Sequence, residues 1–260
     1  MIKIIAGANR HPNSRSLAEF HHYWSHLHGP MFAKTPHLLR YVQHLTLPEA
    51  YGSNPAPTHD GVSFFWYESL DALRNASPSP RLADVIGPED GDVYDWYVRS
   101  ARYGDPNVIT LAHNVRADDA QLFDRLPEWP IGHKRMSVIA AERVVLDGPT
   151  TPSMVKAVIV ASRLPGLTLR EFQDHWITVH GPLGAKVPGL RRYVQNHALQ
   201  EAYAFRDLTH DGFAELWFDD LAALQRAVQT PEWKALQEDG RTLFAQPMAT
   251  VIAREGVIKG

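Results

Sequence analysis

The sequence predicts an α+β fold: two ferredoxin-like βαββαβ units in tandem, packed sheet to sheet within one chain. Three observations carry this. The chain repeats itself, each copy alternates strand and helix patterns in the same order, and the bare sheet face of each copy has to be buried. The 260 residues fit one large or two small domains at ~150 residues each.

The repeat is read by setting EFHHYWSHLHGPM, from Glu19, beside EFQDHWITVHGPL, from Glu171. Phe20, Trp24, His28, Gly29 and Pro30 answer Phe172, Trp176, His180, Gly181 and Pro182 at a constant offset, 172 − 20 = 152. RYVQH at Arg40 answers RYVQN at Arg192, and EAY ending at Tyr51 answers EAY ending at Tyr203. HDG at His59 answers HDG at His210, Trp66 answers Trp217, and LDALRNA answers LAALQRA. A collinear series of this length is duplication, with a period far beyond that of solenoid repeats. The expected organisation is a first unit over 1–103, a connecting segment over 104–152 and a second unit over 153–260.

The elements follow in order. IKIIAGA and VKAVIVA are β-branched runs and predict strands. A turn with Pro12 or Pro165 comes next. SLAE (Ser16 to Glu19) and TLRE (Thr168 to Glu171) are capping boxes that open a helix. Leu17, Phe20, Trp24 and His28 fall at about 0°, 300°, 340° and 20° around that helix, one narrow stripe. Leu169, Phe172, Trp176 and His180 share the spacing. Gly-Pro is expected to end each helix. LRRYVQN is a second strand, and GVSFFWYE and GFAELWFD are a third. A second helix is expected over Leu70 to Ala76 and Leu221 to Val228. A last strand is expected near Trp96–Ala101 and Met248–Ala253. The connecting segment holds NVITLAHNV and MSVIAAERVVL, which read as strands that pack on the paired units.

The totals bound the function. Hydrophobic residues make up 44% and charged residues 21%, enough for a true core. The net charge of −3 gives no basic excess for nucleic acid or an anionic membrane. There are no cysteines, so disulfides, thiolate nucleophiles and Cys-type zinc sites are excluded. MIKIIAGANR lacks a signal-peptide pattern, and no stretch approaches the ~20 apolar residues of a membrane span. A soluble, cytoplasmic protein is expected, acting as a monomeric pseudo-dimer or as a homodimer of it.

The recurring chemistry is one histidine per copy, His28 and His180, at the end of the stripe. Burial lowers the pKa of such a histidine and a helix C-terminus raises it, which suits proton transfer near neutrality. Tyr41 and Tyr193, Gln43 and Gln195, His59 and His210, and Asp60 and Asp211 recur as companion polar groups. Trp24, Trp176, Trp66, Trp217, Tyr51 and Tyr203 could wall an apolar cavity. A structural reading stands beside each. The histidines can close a helix, the tryptophans can be core, and Asp60 and Asp211 suit a turn. His22 and His26 share a helix face at i, i+4, but Asp174 and Thr178 replace them in the second copy, so no metal site is assigned. G-x-G-x-x-G, P-loop and G-x-S-x-G patterns are absent, and no cofactor is assigned.

The set F-x-x-x-W-x-x-x-H-G-P-[LM], then R-Y-V-Q-[NH], then H-D-G ahead of an aromatic strand, resembles the EthD family of the dimeric α+β barrel superfamily. The first copy departs from the usual pattern by Met31, His44 and its extra histidines. The resemblance implies ferredoxin-like units paired as a barrel, here inside one chain, with a pocket between sheet and helices in each unit. It implies a cofactor-independent decarboxylase, dehydratase or cyclase acting on a small hydrophobic, aromatic or polyketide-like carbonyl or phenolic substrate. His28 and His180 would move the proton; Tyr41 or Tyr193, with His59 or His210, would orient the substrate. The alternatives are a non-catalytic ligand-binding or accessory protein for an oxidase, and a cofactor-independent or haem-dependent oxygenase.

Overall fold

A computed structural model describes residues 1–10, 16–53, 56–76, 137–205 and 208–260, leaving aside the side chains of Tyr23, Leu27, His28, Met31, Ser137 and Phe205. The expected strands at Trp96–Ala101 and in NVITLAHNV lie outside the described residues. The chain forms two compact units: Met1–Asn9, Val42–Phe64 and Lys134–Gly256 in one, Arg10–Tyr41, Phe65–His133 and Val257–Gly260 in the other.

The first of these units contains a closed barrel of eight strands. They are β1 (Ile2–Ala8), β2 (Arg40–Thr46, from Val42), β3 (Gly61–Tyr67, to Phe64), β4 (Ser137–Leu146), β5 (Val155–Ala161), β6 (Leu190–Ala198), β7 (Gly212–Phe218) and β8 (Ala249–Lys259, to Gly256). Their order around the barrel is β1-β3-β2-β8-β5-β7-β6-β4. This is two runs of four, β4-β1-β3-β2 and β8-β5-β7-β6, each with the ferredoxin-like order. Closure leaves no sheet edge unpaired.

β4 comes from MSVIAAERVVL in the connecting segment. It pairs antiparallel with β1, Ile4 opposite Ile139, as β8 pairs with β5, Val158 opposite Val251. The sequence carries the same signal: Val138-Ile139-Ala140-x-Glu142 in β4 answers Val251-Ile252-Ala253-x-Glu255 in β8. The match is five residues long and shifted by an insertion, so it falls off the constant offset that revealed the rest.

The helices follow the capping signals. α4 (Leu169–His175) starts at Thr168, whose Oγ1 accepts from Glu171 N at 3.2 Å while Glu171 accepts from Thr168 N at 2.8 Å. Leu169, Phe172, Trp176 and His180 are all buried, so the stripe faces the sheet as its spacing requires. Burial of a ring such as Phe172 contributes about 1.5–3 kcal/mol.

Gly-Pro does not end this helix. Trp176–His180 widens into a π turn, and α5 (Gly181–Gly184) continues it. Gly181 donates its N–H five residues back to the Trp176 carbonyl. Pro182 has no N–H to lose, and near the start of a fresh turn its fixed φ is acceptable. Two further helices, α7 (Leu221–Ala227) and α8 (Pro231–Gly240), complete the second copy after the short α6 (Ala202–Phe205).

In the other unit, α1 (Leu17–Tyr23) is opened by the Ser16–Glu19 capping box and runs into a π turn over Trp24–His28, then α2 (Gly29–Phe32). Phe20 stacks on Trp24 at 5.5 Å, and α3 (Leu70–Asn75) is capped by Ser69. Among the described residues no helix is long and apolar enough to cross a membrane.

Candidate functional site

The second copy carries the site whose geometry is described in full. His180 is the last residue of the π turn and 8% exposed. Its Nδ1 lies 2.8 Å from Oδ2 of Asp239, the penultimate residue of α8. The other carboxylate oxygen, Oδ1, lies 2.8 Å from Nε2 of His175, the last residue of α4. One carboxylate therefore holds two imidazoles. Burial lowers the His180 pKa, and Asp239 pulls against it. With Nδ1 engaged, Nε2 has no hydrogen-bond partner among the described residues and is the nitrogen left for chemistry.

The wall beside it is aromatic. Phe244 meets His180 edge-on at 4.9 Å and Trp176 edge-on at 5.6 Å. His197 stacks flat on Trp176, 4.9 Å between centroids and 6° between planes. Burial lowers His197 to about 4, with Arg143 acting the same way, so it stays neutral.

Gln195 ties the site together. Its Nε2 donates to the Trp176 carbonyl at 2.8 Å and to the Tyr193 hydroxyl at 3.0 Å, and its Oε1 lies 2.9 Å from His197 Nε2. The π turn presents that carbonyl to a second donor, which is the local reason a Gln sits here. Burial, with the Asp239 charge acting the same way and the Gln195 hydrogen bond against it, raises Tyr193 to about 12. The phenol keeps its proton, and that proton has no acceptor among the described residues.

The remaining sequence candidates fall elsewhere. Tyr51 donates to Asp60, and Tyr203 donates to Asp211, which also accepts from the Arg163 backbone at 2.8 Å and from its guanidinium. The EAY and HDG motifs thus meet each other in both copies. His59 and His210 flank those turns, with Nδ1 at 2.9 Å and 2.7 Å from Thr58 and Thr209 Oγ1. Burial lowers His210, with Asp211 and His59 as the charges it feels; the Asp239 group does not enter. In the other unit Trp24 is buried on Phe20, Tyr41 stacks on Phe65 at 4.6 Å, and Arg40 lies over Trp66 at 4.8 Å. Gln43 is fully buried in β2, and the His28 side chain lies outside the described residues.

Trp217 lies on the opposite sheet face from Tyr193 and Trp176. Strand alternation sends Leu216 toward the helices and Trp217 into the barrel. There the Lys156 ammonium lies 4.0 Å over its ring. The barrel interior is charged: Lys156 Nζ lies 2.6 Å from Glu215, 2.9 Å from His44 Nε2 and against Glu255. Lys3 bridges Glu215 and Glu142, the latter at 2.8 Å. Burial would raise Glu215, but Lys156 and Lys3 together bring it down to about 2. Burial, reinforced by Lys156, lowers His44 to about 4. His44, Glu215 and Glu255 place ligand atoms within 4.8 Å of one another, as a metal site would. The Lys156 ammonium already bonds to all three. His44 Nδ1, Asn196 Oδ1 and Trp217 Nε1 are buried without a partner among the described residues.

Sequence reasoning missed Asp239, His175, His197 and the barrel ions. Signals existed for some. Glu238-Asp239-Gly240 recurs as Glu89-Asp90-Gly91, and lysine is the second residue of both first strands, Lys3 and Lys156.

The family model for the EthD domain matches residues 13–95 and 164–247. No curated protein matches the chain. Among solved structures, an anthrone oxidase-like protein is 13% identical over 100% of this chain and 93% of its own, with a TM-score of 0.53. An ethyl tert-butyl ether D (EthD) family protein from Bacillus halodurans is 26% identical, covering 39% of this chain and 97% of its own, TM-score 0.34. A cofactor-independent oxygenase from Streptomyces nogalater is 19% identical over 42% of this chain and 93% of its own, TM-score 0.27. At these identities the full-length match supports the fold alone.

Proposed function

Because the chain belongs to the EthD family through both of its copies, we propose that it is a lyase or isomerase needing no bound cofactor, acting by proton transfer on a small, largely apolar carbonyl or phenolic substrate. His180 is the acid–base group. The observation that carries this is the Asp239 carboxylate on His180 Nδ1, which fixes the tautomer and leaves Nε2 as the base. Nε2 takes the proton from the carbon beside the carbonyl. The C–H electron pair moves into the carbonyl, and the charge collects on its oxygen. The Tyr193 O–H donates to that oxygen. The protonated His180 then returns its proton, to another carbon in an isomerisation or to a departing hydroxide in a dehydration.

With β4 taken as its fourth strand, the first copy spans 1–146. Its own sheet then closes the barrel with the second, so a single chain suffices for the fold. The test uses a panel of aryl and hydroxyaryl ketones in D2O, followed by NMR with the full chain. Deuterium exchange beside the carbonyl is expected, falling about 10²–10⁴-fold in His180→Ala. Saturable binding with no exchange across the panel would instead mark a ligand-binding accessory protein. An unchanged rate in His180→Ala removes His180 from the chemistry.

A further inference from the structure

We infer that His175 is a positioning residue of this site, which holds Asp239 in place by its second oxygen and sets the basicity of His180 through it. The inference rests on the reading of His180 as the acid–base group. The geometry is a fork. Asp239 is 14% exposed, and its two oxygens carry one imidazole each at 2.8 Å. The His180 ring is 10% exposed and the His175 ring 36% exposed, so one imidazole faces the interior and the other reaches solvent. An Asp that held only His180 would be free to rotate about its side-chain torsions. The second bond, from a different helix, removes that freedom.

The same fork has an electrostatic consequence. Asp239 raises the His180 pKa and His175 lowers it, so the two partners of the fork act on His180 in opposite directions. Among the described residues, few titratable groups face His180. Asp239 comes from α8 and His175 from α4, Tyr193 of β6 faces Asp239, and α5 contributes no titratable side chain. The sequence does not repeat the second imidazole. At the constant offset the counterpart of His175 is Tyr23, and that of His197 is Leu45, although the Glu-Asp-Gly motif is present in both. A tyrosine remains neutral across the physiological range and cannot vary the charge on the aspartate.

The experiment is a pH titration of the full chain carrying ¹³C- and ¹⁵N-labelled histidine, which needs no substrate. His180 is assigned by its absence in His180→Ala. Wild-type His180 is expected in its Nδ1–H form when neutral. His175→Tyr, which installs the residue of the first copy, is expected to raise the His180 midpoint by about 0.5–1 pH unit. His175→Gln, which keeps a neutral donor to Asp239, is expected to raise it while keeping the tautomer, and it serves if the tyrosine does not fold. A midpoint unmoved in both variants overturns the inference and leaves the proposed function standing. A wild-type His180 in the Nε2–H form overturns the proposed function itself.

Discussion

Gly212 lies under the ring of Trp176: a methyl group at Gly212 would stand 2.5 Å from Trp176 Cζ3 and 2.6 Å from the Asn196 carbonyl oxygen. This explains the last letter of the HDG motif. The ring of the stripe's tryptophan rests against the strand where the motif enters it, and only glycine leaves room. Motif and stripe are two halves of one packing arrangement.

Gly212→Ala is therefore expected to destabilise the fold by about 1–3 kcal/mol, because a backbone oxygen and a fixed ring both oppose the methyl group. For a chain of this size that is a fall of several degrees in melting temperature. Differential scanning calorimetry checks it, and a melting temperature within a degree of wild type would show that the strand yields.

Acid should destabilise the protein in two stages. His44 and His197 fall from 6.5 to about 4 on folding, both led by burial. A lowered folded pKa means that the unfolded chain takes up protons first. Their stabilisation is present above about 6.5 and lost toward 4, about 3 kcal/mol for each ring as an order of magnitude. Glu215, held to about 2 by its lysines, adds a second loss as pH falls from 4.5 toward 2. Urea unfolding between pH 8 and 4 should show the first slope. His44→Asn, the residue found at Asn196 in the other copy, should flatten it by about one proton.

The duplication, the capping boxes and the stripe through Leu169, Phe172 and Trp176 were legible because they are local or periodic signals. Asp239 was not. It meets His180 across 59 residues of chain, and the recurrence of Glu-Asp-Gly marks its position without naming a partner. The barrel ions were hidden for another reason: Lys3 and Lys156 alternate with apolar neighbours, and a lysine in that pattern ordinarily faces water. The Gly-Pro pair was misread as a stop because the π turn ends just before it and the proline falls in the first turn of α5. MSVIAAERVVL was legible as a strand, but an insertion takes it off the constant offset, so its likeness to β8 was not.

Lys156→Met should expose what the ammonium now does. The variant leaves His44 and Glu255 without their shared cation and Glu215 with Lys3 alone. Removing one member of a buried ion pair costs about 3–5 kcal/mol. The three ligand atoms left behind lie within 4.8 Å of one another, so Zn²⁺ is expected to raise the melting temperature of the variant and not that of wild type. Thermal melts with and without Zn²⁺ decide it, and a variant as stable as wild type would show that the lysine is not needed for charge balance.

Asp239→Asn separates orientation from packing. The substitution keeps the volume and one acceptor oxygen at a position 14% exposed, so the melting temperature should change little. The chemistry should not survive equally well. An amide can present its NH₂ to Nδ1, which then becomes the acceptor and moves the ring proton to Nε2, the nitrogen that has to take a proton. It also removes the charge that stabilises the protonated ring. Turnover in the exchange assay is expected to fall about 10²-fold or more, with KM within a few fold, since neither effect touches ground-state binding of a neutral ketone. A variant that loses KM and stability together, with kcat preserved, would place Asp239 among the structural contacts and return His180 to the role of a helix residue.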